Sequence, residues 1–159
     1  MSPSWTAGGS RCWGFGSAAL SCAARYGFIG WSREQQYAWL IHVANSQRFC
    51  VLPGSRAPNL ASAVLARALR RLPGDYLAVD GHRVLAVETF TDPSRQTGAC
   101  YAVASFVPVG DTLGCGRSAD RYRHHGSIKR VWLRPLHRRA AQILPRRSII
   151  RCWPGRRPV

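Results

Sequence analysis

Hydrophobic positions change from a short continuous run to a helical repeat near residue 60. Residues 49–52 are an apolar run that ends at a Pro-Gly pair, which predicts a buried strand followed by a break. After a turn, apolar residues recur every three or four positions at Leu60, Ala61, Val64, Leu65, Ala68, Leu69 and Leu72. The polar positions between them include Arg67, Arg70 and Arg71. This spacing predicts an amphipathic helix, which we expect Pro73-Gly74 to end.

Strands and helices are predicted to alternate along the rest of the chain. Apolar runs bounded by turn residues predict strands at residues 12–20, 84–90, 106–110 and 129–136. Ser32 and Gln35 have the spacing of a capping box, which predicts a helix from there to Asn45. A shorter helix is predicted over residues 97–105, with connections at 25–31 and 111–128. This alternation indicates an α/β or α+β fold.

Composition divides the 159 residues into three parts. Residues 1–10 are rich in Ser and Gly, and we expect them to be disordered. Residues 11–136 contain all the predicted strands and helices, and this length favours a single domain. Residues 137–159 are rich in Arg and Pro, and they are predicted to be a basic tail.

Charge is the strongest compositional feature. The chain has 23 Lys and Arg against 7 Asp and Glu, for a net charge of +16. Such an excess favours polyanions, namely nucleic acid, an anionic membrane surface or a phosphorylated cofactor, although an arginine-rich coding bias gives the same composition. The residues assigned to nucleic-acid phosphates are Arg117, Arg121, Arg123, Lys129, Arg130, Arg134, Arg138 and Arg139.

Cysteine usage and hydropathy bear on the cellular location. Six cysteines occur without a C-x-x-C pair, and several lie in predicted strands or helices, so we expect reduced thiols. The spacing of Cys115, His124 and His125 matches no zinc module, and no metal is expected. The sequence contains neither an apolar run of membrane-spanning length nor the pattern of a secretory signal, which indicates a cytoplasmic location without membrane association.

The turn before the long predicted helix, Arg56-Ala-Pro-Asn59-Leu-Ala61, resembles the coenzyme-binding turn of the GCN5-related acyltransferases. It is similar to the Q/R-x-x-G-x-G/A sequence of that family, whose backbone N–H groups hold the pyrophosphate of coenzyme A. Asn59 stands at a family glycine, and Asn tolerates left-handed dihedral angles. The resemblance implies acetyl-CoA or another acyl-CoA as cofactor, bound by Arg56, Asn59, Leu60, Ala61 and Ser62.

A second segment resembles the closing part of the same fold. Tyr101-Ala-Val-Ala-Ser-Phe106-Val-Pro-Val-Gly110 is similar to the family pattern Y-x-x-x-G-F…V-G, whose tyrosine protonates the departing thiolate. The resemblance implies Tyr101 as the catalytic acid, and the alternative is a core aromatic. Glu88 is the one carboxylate centred in a predicted strand and is therefore the candidate general base. The alternative for Glu88 is a solvent-facing residue at a strand end.

Short blocks in a fixed order resemble one more specific family. They include Cys12-Trp-Gly-Phe-Gly-Ser-Ala-Ala-Leu, Phe28-Ile-Gly-Trp-Ser, Asn45-Ser-Gln-Arg48-Phe49, Pro58-Asn-Leu-Ala-Ser62, Val87-Glu-Thr-Phe90, Thr97-Gly-Ala-Cys-Tyr101 and Gly110-Asp-Thr-Leu-Gly114. Over residues 11–136 the chain is identified as a member of the DruA family of the Druantia anti-phage systems. Members of that family also occur beside or fused to transposases.

The resemblance carries expectations about fold and completeness. It implies a GCN5-related acyltransferase-like fold, which is a mixed sheet flanked by helices. Members usually carry a helix and strands upstream of the Gly-Phe-Gly strand, so we expect the sheet to lack its opening strands and this copy to be truncated at its N-terminus. Tyr26 and Phe106 stand where Asp and Trp are usual.

Three functions are compatible with these observations. The first is an accessory protein of a mobile element or anti-phage defence system. Its expected partners are nucleic acid, with DNA in preference to RNA, and other defence or transposase proteins. The second is an acyl-CoA-dependent N-acyltransferase, and the third is a degenerate inactive fragment. Seven carboxylates without a DDE-type triad argue against an autonomous transposase.

Overall fold

The computed structural model describes residues 4–7, 11–51, 58–118, 121–124, 126–137 and 140. In chain order the described elements are β1 (Ser4–Ala7), β2 (Arg11–Ser17), α1 (Ala23–Ile29), α2 (Arg33–Trp39), a 3-10 turn (Leu40–His42), β3 (Val43–Val51), α3 (Leu60–Asp80), β4 (Ala86–Thr91), α4 (Ala99–Val103), β5 (Val107–Asp111), β6 (Cys115–Ser118), β7 (Arg121–His124) and β8 (Arg130–Pro135).

Six strands form one mixed sheet in the order β1-β2-β3-β4-β8-β5. β3 and β4 are parallel and are connected through α3, whereas the other neighbouring strands are antiparallel. β6 and β7 form a separate antiparallel pair between β5 and β8 in the chain. The predicted fold class, a mixed sheet with flanking helices, is confirmed.

Helices pack on both faces of the sheet, and the sheet separates the core into two layers. On one face, α3 and α4 bury Leu69, Tyr76 and Tyr101 in a cluster with strand residues such as Val87. On the other face, Ile29 of α1 packs in a cluster with residues of β3, β4 and β8. Because successive strand residues point to opposite faces, Val87 and Thr89 share the α3 face, and Glu88 lies on the α1 face.

The helix predicted to begin at Ser32 is confirmed at its start but is shorter than expected. The Gln35 N–H donates to the Ser32 hydroxyl, and the Ser32 N–H donates to the Gln35 side-chain oxygen, which completes the capping box. α2 nevertheless ends at Trp39, and a 3-10 turn follows. The prediction of helix as far as Asn45 is wrong.

β3 explains this shortening, because it begins inside the segment predicted as helix. Val43 and Ala44 pair with Ala86 and Val87 of β4, and all four residues are almost fully buried. A strand buried on both faces shows a continuous apolar run, which periodicity alone does not separate from a buried helix. The predicted strand at residues 49–52 is the end of this longer strand.

α3 continues through the Pro-Gly pair that was predicted to end it. It runs from Leu60 to Asp80 with Pro73 inside the helix, and Gly81 ends it with a φ of 71°. Leu72 and Tyr76 are buried on either side of the proline. Burial of two such side chains contributes about 1.5–3 kcal/mol each, which offsets the roughly 3 kcal/mol that an interior proline costs. Tertiary packing therefore overrides the local stop signal.

Two further elements form where connections were predicted. α1 lies across residues 23–29 and ends at Gly30, whose φ of 79° suits glycine. Its buried positions are Arg25 and Ile29. Because one of them is charged, the inward face lacks the apolar repeat that would predict a helix. β6 and β7 pair within the predicted loop at 111–128.

The chain ends differ from expectation where they are described. β1 lies within residues 1–10, which were predicted to be disordered, and it pairs with β2 so that Trp5 is opposite Trp13. The sheet therefore has one short strand before the Gly-Phe-Gly strand. Of the predicted tail at 137–159, His137 and Ala140 are described, and Ala140 is buried in the core on the α1 face. The rest of the tail lies outside the described residues.

Candidate functional site

The parallel strands β3 and β4 separate partway along their length. They pair over three positions, from Val43 opposite Ala86 to Asn45 opposite Glu88. Both strands continue beyond this point. Backbone groups that face between separated strands have lost their ladder partners and are available to the amides or carbonyls of a ligand. The divergence is therefore a candidate ligand site. It lies toward the end of β3 from which the chain proceeds to α3.

A bulge in β3 lies at the divergence. Consecutive residues of β2 lie opposite Ser46 and Arg48, which leaves Gln47 without an opposite residue. The Thr89 hydroxyl donates to the Ser46 carbonyl across the two strands, with 3.1 Å between the oxygens. The Ser46 hydroxyl is itself buried and has no hydrogen-bond partner in the described part of the chain. This unpaired hydroxyl is a polar group that a ligand could satisfy.

Tyr101 lies beside this divergence on the face covered by α3 and α4. Its ring packs against Phe49, Phe106 and Trp132, with centroid distances of 6.4, 5.4 and 6.4 Å. Burial raises the pKa of the Tyr101 phenol, and a hydrogen bond with Thr89 opposes part of that rise. The phenol therefore stays protonated at neutral pH. It has the protonation state of an acid, but its contacts are also those of a core aromatic.

Glu88 is fully buried on the opposite face of the sheet. Its Oε2 lies 2.5 Å from Nη1 of Arg25, and its Oε1 accepts the Ala19 N–H at 2.7 Å. The Arg25 side chain is also fully buried, and its Nη2 donates to the Ala19 carbonyl. Burial raises the pKa of the Glu88 carboxyl, and the Arg25 guanidinium opposes that rise. Glu88 therefore does not face solvent, and both of its oxygens are occupied.

The two predicted catalytic side chains are not brought together. Tyr101 contacts the α3 face next to Thr89, whereas Glu88 is held by Arg25 of α1 on the other face. A general base must come within hydrogen-bond reach of the proton that it removes. Glu88 would have to leave its ion pair to meet a substrate, and its catalytic role stays a prediction.

The predicted coenzyme turn is described from Pro58 onward, and Arg56 lies outside the described residues. Asn59 has a φ of 57°, the left-handed conformation that suits the glycine of the family pattern. Its side chain does not cap the helix, while the Ser62 hydroxyl donates to the Asn59 carbonyl. Leu60 and Ala61 form the first turn of α3, whose backbone N–H groups have no partners within the helix.

The basic residues assigned to nucleic acid fall into three groups. Lys129 is exposed, Arg130 pairs with Asp111 at 3.1 Å, and Arg134 donates to the Ala104 carbonyl at 2.6 Å. Burial lowers the pKa of Arg134. The hairpin formed by β6 and β7 carries Arg117, Arg121 and Arg123, and the positions outside the described residues are Arg138 and Arg139. Lys129, which directly precedes β8, is exposed and forms no ion pair among the described residues.

A further basic group lies on α3 and was not assigned to nucleic acid from the sequence. Arg67, Arg70 and Arg71 are exposed on the helix face that points away from the sheet. Arg71 forms an ion pair with Asp75 at 3.6 Å, and no ion pair involves Arg67 or Arg70 among the described residues. The amphipathic spacing predicted this polar helix face, but it did not indicate a function for the arginines there.

Metal-binding clusters and membrane-spanning helices are both absent from the described ranges. No group of three or more His, Cys, Asp or Glu residues there could hold a metal ion. None of the described helices is both long and apolar enough to cross a membrane.

Comparison with known proteins gives a matching family model and a similar solved structure. The family model described as "Druantia protein DruA" matches residues 10–130 of this chain. Comparison with curated proteins finds no match. Among solved structures, the chain is similar to a protein of the yellow fever mosquito that is assigned as arylalkylamine N-acetyltransferase 7, with 15% identity and a TM-score of 0.40. The similarity covers 80% of this chain and 58% of the mosquito protein.

Proposed function

The chain belongs to the DruA family, and we propose that it is an accessory protein of an anti-phage defence system or a mobile element that binds nucleic acid, DNA in preference to RNA. Family membership supports the biological setting, and the net charge of +16 supports a polyanionic partner. Other defence or transposase proteins are the partners that this setting favours. The observation that carries the proposal is the exposed arginine face of α3.

The arginines of α3 are arranged to contact phosphates together. Residues three and four positions apart on a helix are neighbours on its surface, so Arg67, Arg70 and Arg71 stand side by side. Asp75 is the nearest described acid along this face and engages Arg71. The guanidinium groups of Arg67 and Arg70 remain available for bidentate contacts with phosphate oxygens. Such contacts position a protein on nucleic acid without reading its sequence.

A second basic group extends the proposed surface. Lys129 and Arg130 are exposed at the start of β8, and the β6–β7 hairpin contributes further arginines. Arg130 already has a carboxylate partner, and Arg134 is half-buried, so these two side chains contribute less than the exposed Lys129. The tail residues Arg138 and Arg139 remain part of the proposal.

Fluorescence anisotropy with labelled DNA and RNA of one sequence tests this proposal. We expect the wild-type chain to bind DNA more tightly than RNA. A variant with Arg67→Gln, Arg70→Gln and Arg71→Gln should bind DNA at least about tenfold more weakly, because it removes the available guanidinium groups of Arg67 and Arg70 and the charge of Arg71. Arg95→Gln is the matched control, since Arg95 is exposed and pairs with Asp92. Equal affinities of the triple variant and the wild type would overturn the assignment to α3.

A coenzyme site is the second candidate function, and the divergence of β3 and β4 favours it. An acyl-CoA could place its amide and acyl groups between the separated strands, near the unpaired Ser46 hydroxyl. Its pyrophosphate would bind backbone N–H groups at the start of α3. Tyr101 is protonated and adjacent to the same opening, as an acid for a departing thiolate must be.

Calorimetric titration with acetyl-CoA tests this second function. We expect one saturable site, weaker binding of ATP, and loss of binding in Asn59→Glu, whose carboxylate would repel the pyrophosphate. Asn59→Gly is the control, because glycine accepts the φ of 57° without adding charge. Heat that is equal for acetyl-CoA and ATP would reject the coenzyme site. A folded chain that binds neither nucleic acid nor acetyl-CoA would favour the remaining alternative, an inactive fragment.

A further inference from the structure

A cavity lies at the opposite end of α3 from the turn at Asn59. Its volume is about 350 Å³, and its walls come from the end of β2, the α2 segment with the 3-10 turn, and the end of α3. A helix of 21 residues is about 30 Å long, so the cavity is far from the candidate pyrophosphate site. It is therefore independent of both functions proposed above.

Apolar side chains make up much of the cavity wall and remain accessible. Tyr37, Leu40 and Ile41 line it from one side, and Leu20 lines it from another. Leu20, Tyr37 and Ile41 are 60%, 63% and 55% exposed, which is unusual for large apolar side chains that surround one cavity. The wall also includes the ring of Tyr76, whose hydroxyl hydrogen-bonds the Gly16 carbonyl at 3.4 Å.

Asp80 gives this cavity a charge opposite to that of the whole molecule. It lines the cavity, and no ion pair involves it within the described residues, although Asp75, Asp92 and Asp111 each pair with an arginine. Burial raises the pKa of the Tyr76 phenol, and the negative charge of Asp80 adds to that rise, which places the carboxylate close to the aromatic wall.

We propose that this cavity binds a small organic ammonium ion, with its charged head at Asp80 and its apolar body against Tyr37, Leu40 and Ile41. An organic cation gains from a carboxylate and from the negative faces of aromatic rings, and its apolar body gains from contact with the apolar wall. Anions and nucleic-acid phosphates are repelled by Asp80. Inorganic cations are disfavoured because the structure brings only one described carboxylate to a mostly apolar wall.

Two probes of the same shape isolate the charge. Choline carries a quaternary ammonium head, and 3,3-dimethylbutan-1-ol replaces its nitrogen with carbon. Titration of the full chain, followed by two-dimensional NMR, should show saturable shifts with choline at residues of the cavity wall. Binding of the neutral probe should be at least about tenfold weaker. No saturable shift with choline, or equal binding of the two probes, would overturn the proposal without the use of any variant.

Two substitutions on α3 locate the site. Asp80→Asn should reduce choline affinity at least about tenfold, because it removes the charge and keeps the shape of the side chain. Asp75→Asn is the matched control, since Asp75 lies on the same helix outside the cavity and pairs with Arg71. It should leave choline affinity unchanged. An equal loss in both variants would show a general charge effect and reject a site at Asp80.

Discussion

The buried ion pair between Arg25 and Glu88 joins three parts of the fold. Glu88 belongs to β4, Arg25 to α1, and both side chains contact the backbone of Ala19, which follows β2. Removing two charges from water is expensive, so such a pair stabilises a fold only when its remaining hydrogen bonds are made. Here one donor, the Arg25 Nε, has no partner among the described residues. The pair therefore serves to fix α1 against the sheet more than to add stability.

Glu88→Gln should destabilise the protein by about 3–5 kcal/mol, because it leaves the Arg25 charge buried without a counterion. The double variant with Arg25→Met and Glu88→Leu should recover most of this loss, since no buried charge remains. Urea denaturation of the three chains measures both effects. As a control, Asp111→Asn disrupts the exposed pair with Arg130 and should cost less than about 1 kcal/mol. A Glu88→Gln variant as stable as the wild type would contradict this assignment.

The sequence patterns singled out Tyr101 and Glu88 as candidates, but they did not indicate that Arg25 is the partner of Glu88. Glu88 and Arg25 are 63 positions apart, and nothing in the local pattern indicates that a charged residue on a short helix faces a buried carboxylate. Asn59 was more readily predicted, because a residue that replaces a glycine in a turn is expected to adopt a positive φ.

Among the elements, α3 shows where periodicity is informative and where it is not. The spacing of its leucines gave the start and the buried face correctly, with Leu65, Leu69 and Leu72 in the core. The end was wrong, because the packing of Tyr76 beyond Pro73 lies outside what local signals report. The same limit applies to β3, whose first residues are set by pairing with β4.

Gly74→Ala should stabilise the protein by about 0.5–1 kcal/mol, because glycine inside a helix loses more backbone entropy on folding than alanine. A Cβ at this position would meet no atom within 4 Å. Gly98→Ala is the contrasting variant, since its φ is 75° and its Cβ would come within 2.3 Å of the Trp132 ring. It should destabilise the protein. Thermal denaturation of both variants measures the signs, and loss of stability in Gly74→Ala would show that residue 74 is not in a regular helix.

For the molecule as a whole, the order of sequence blocks was more informative than any single motif. It led to the DruA family and to a mixed sheet with flanking helices, and both are confirmed. The pairing of β1 with β2 and the β6–β7 hairpin were missed, because Ser4–Ala7 and Cys115–Ser118 are short strands in Gly-rich surroundings. Tyr101 packs on the α3 face and Glu88 pairs with Arg25 of α1 on the other face, and the local patterns did not define which helix covers which face.

The charge of the whole molecule gives the most direct test of the central claim that the α3 arginines bind nucleic-acid phosphates. The measurement is the slope of the logarithm of DNA affinity against the logarithm of salt concentration, for the wild type and for the variant with Arg67, Arg70 and Arg71 all changed to Gln. We predict a steep negative slope for the wild type and a slope shallower by about 0.9 for each arginine that contacts a phosphate. Identical slopes for the two chains would contradict the account.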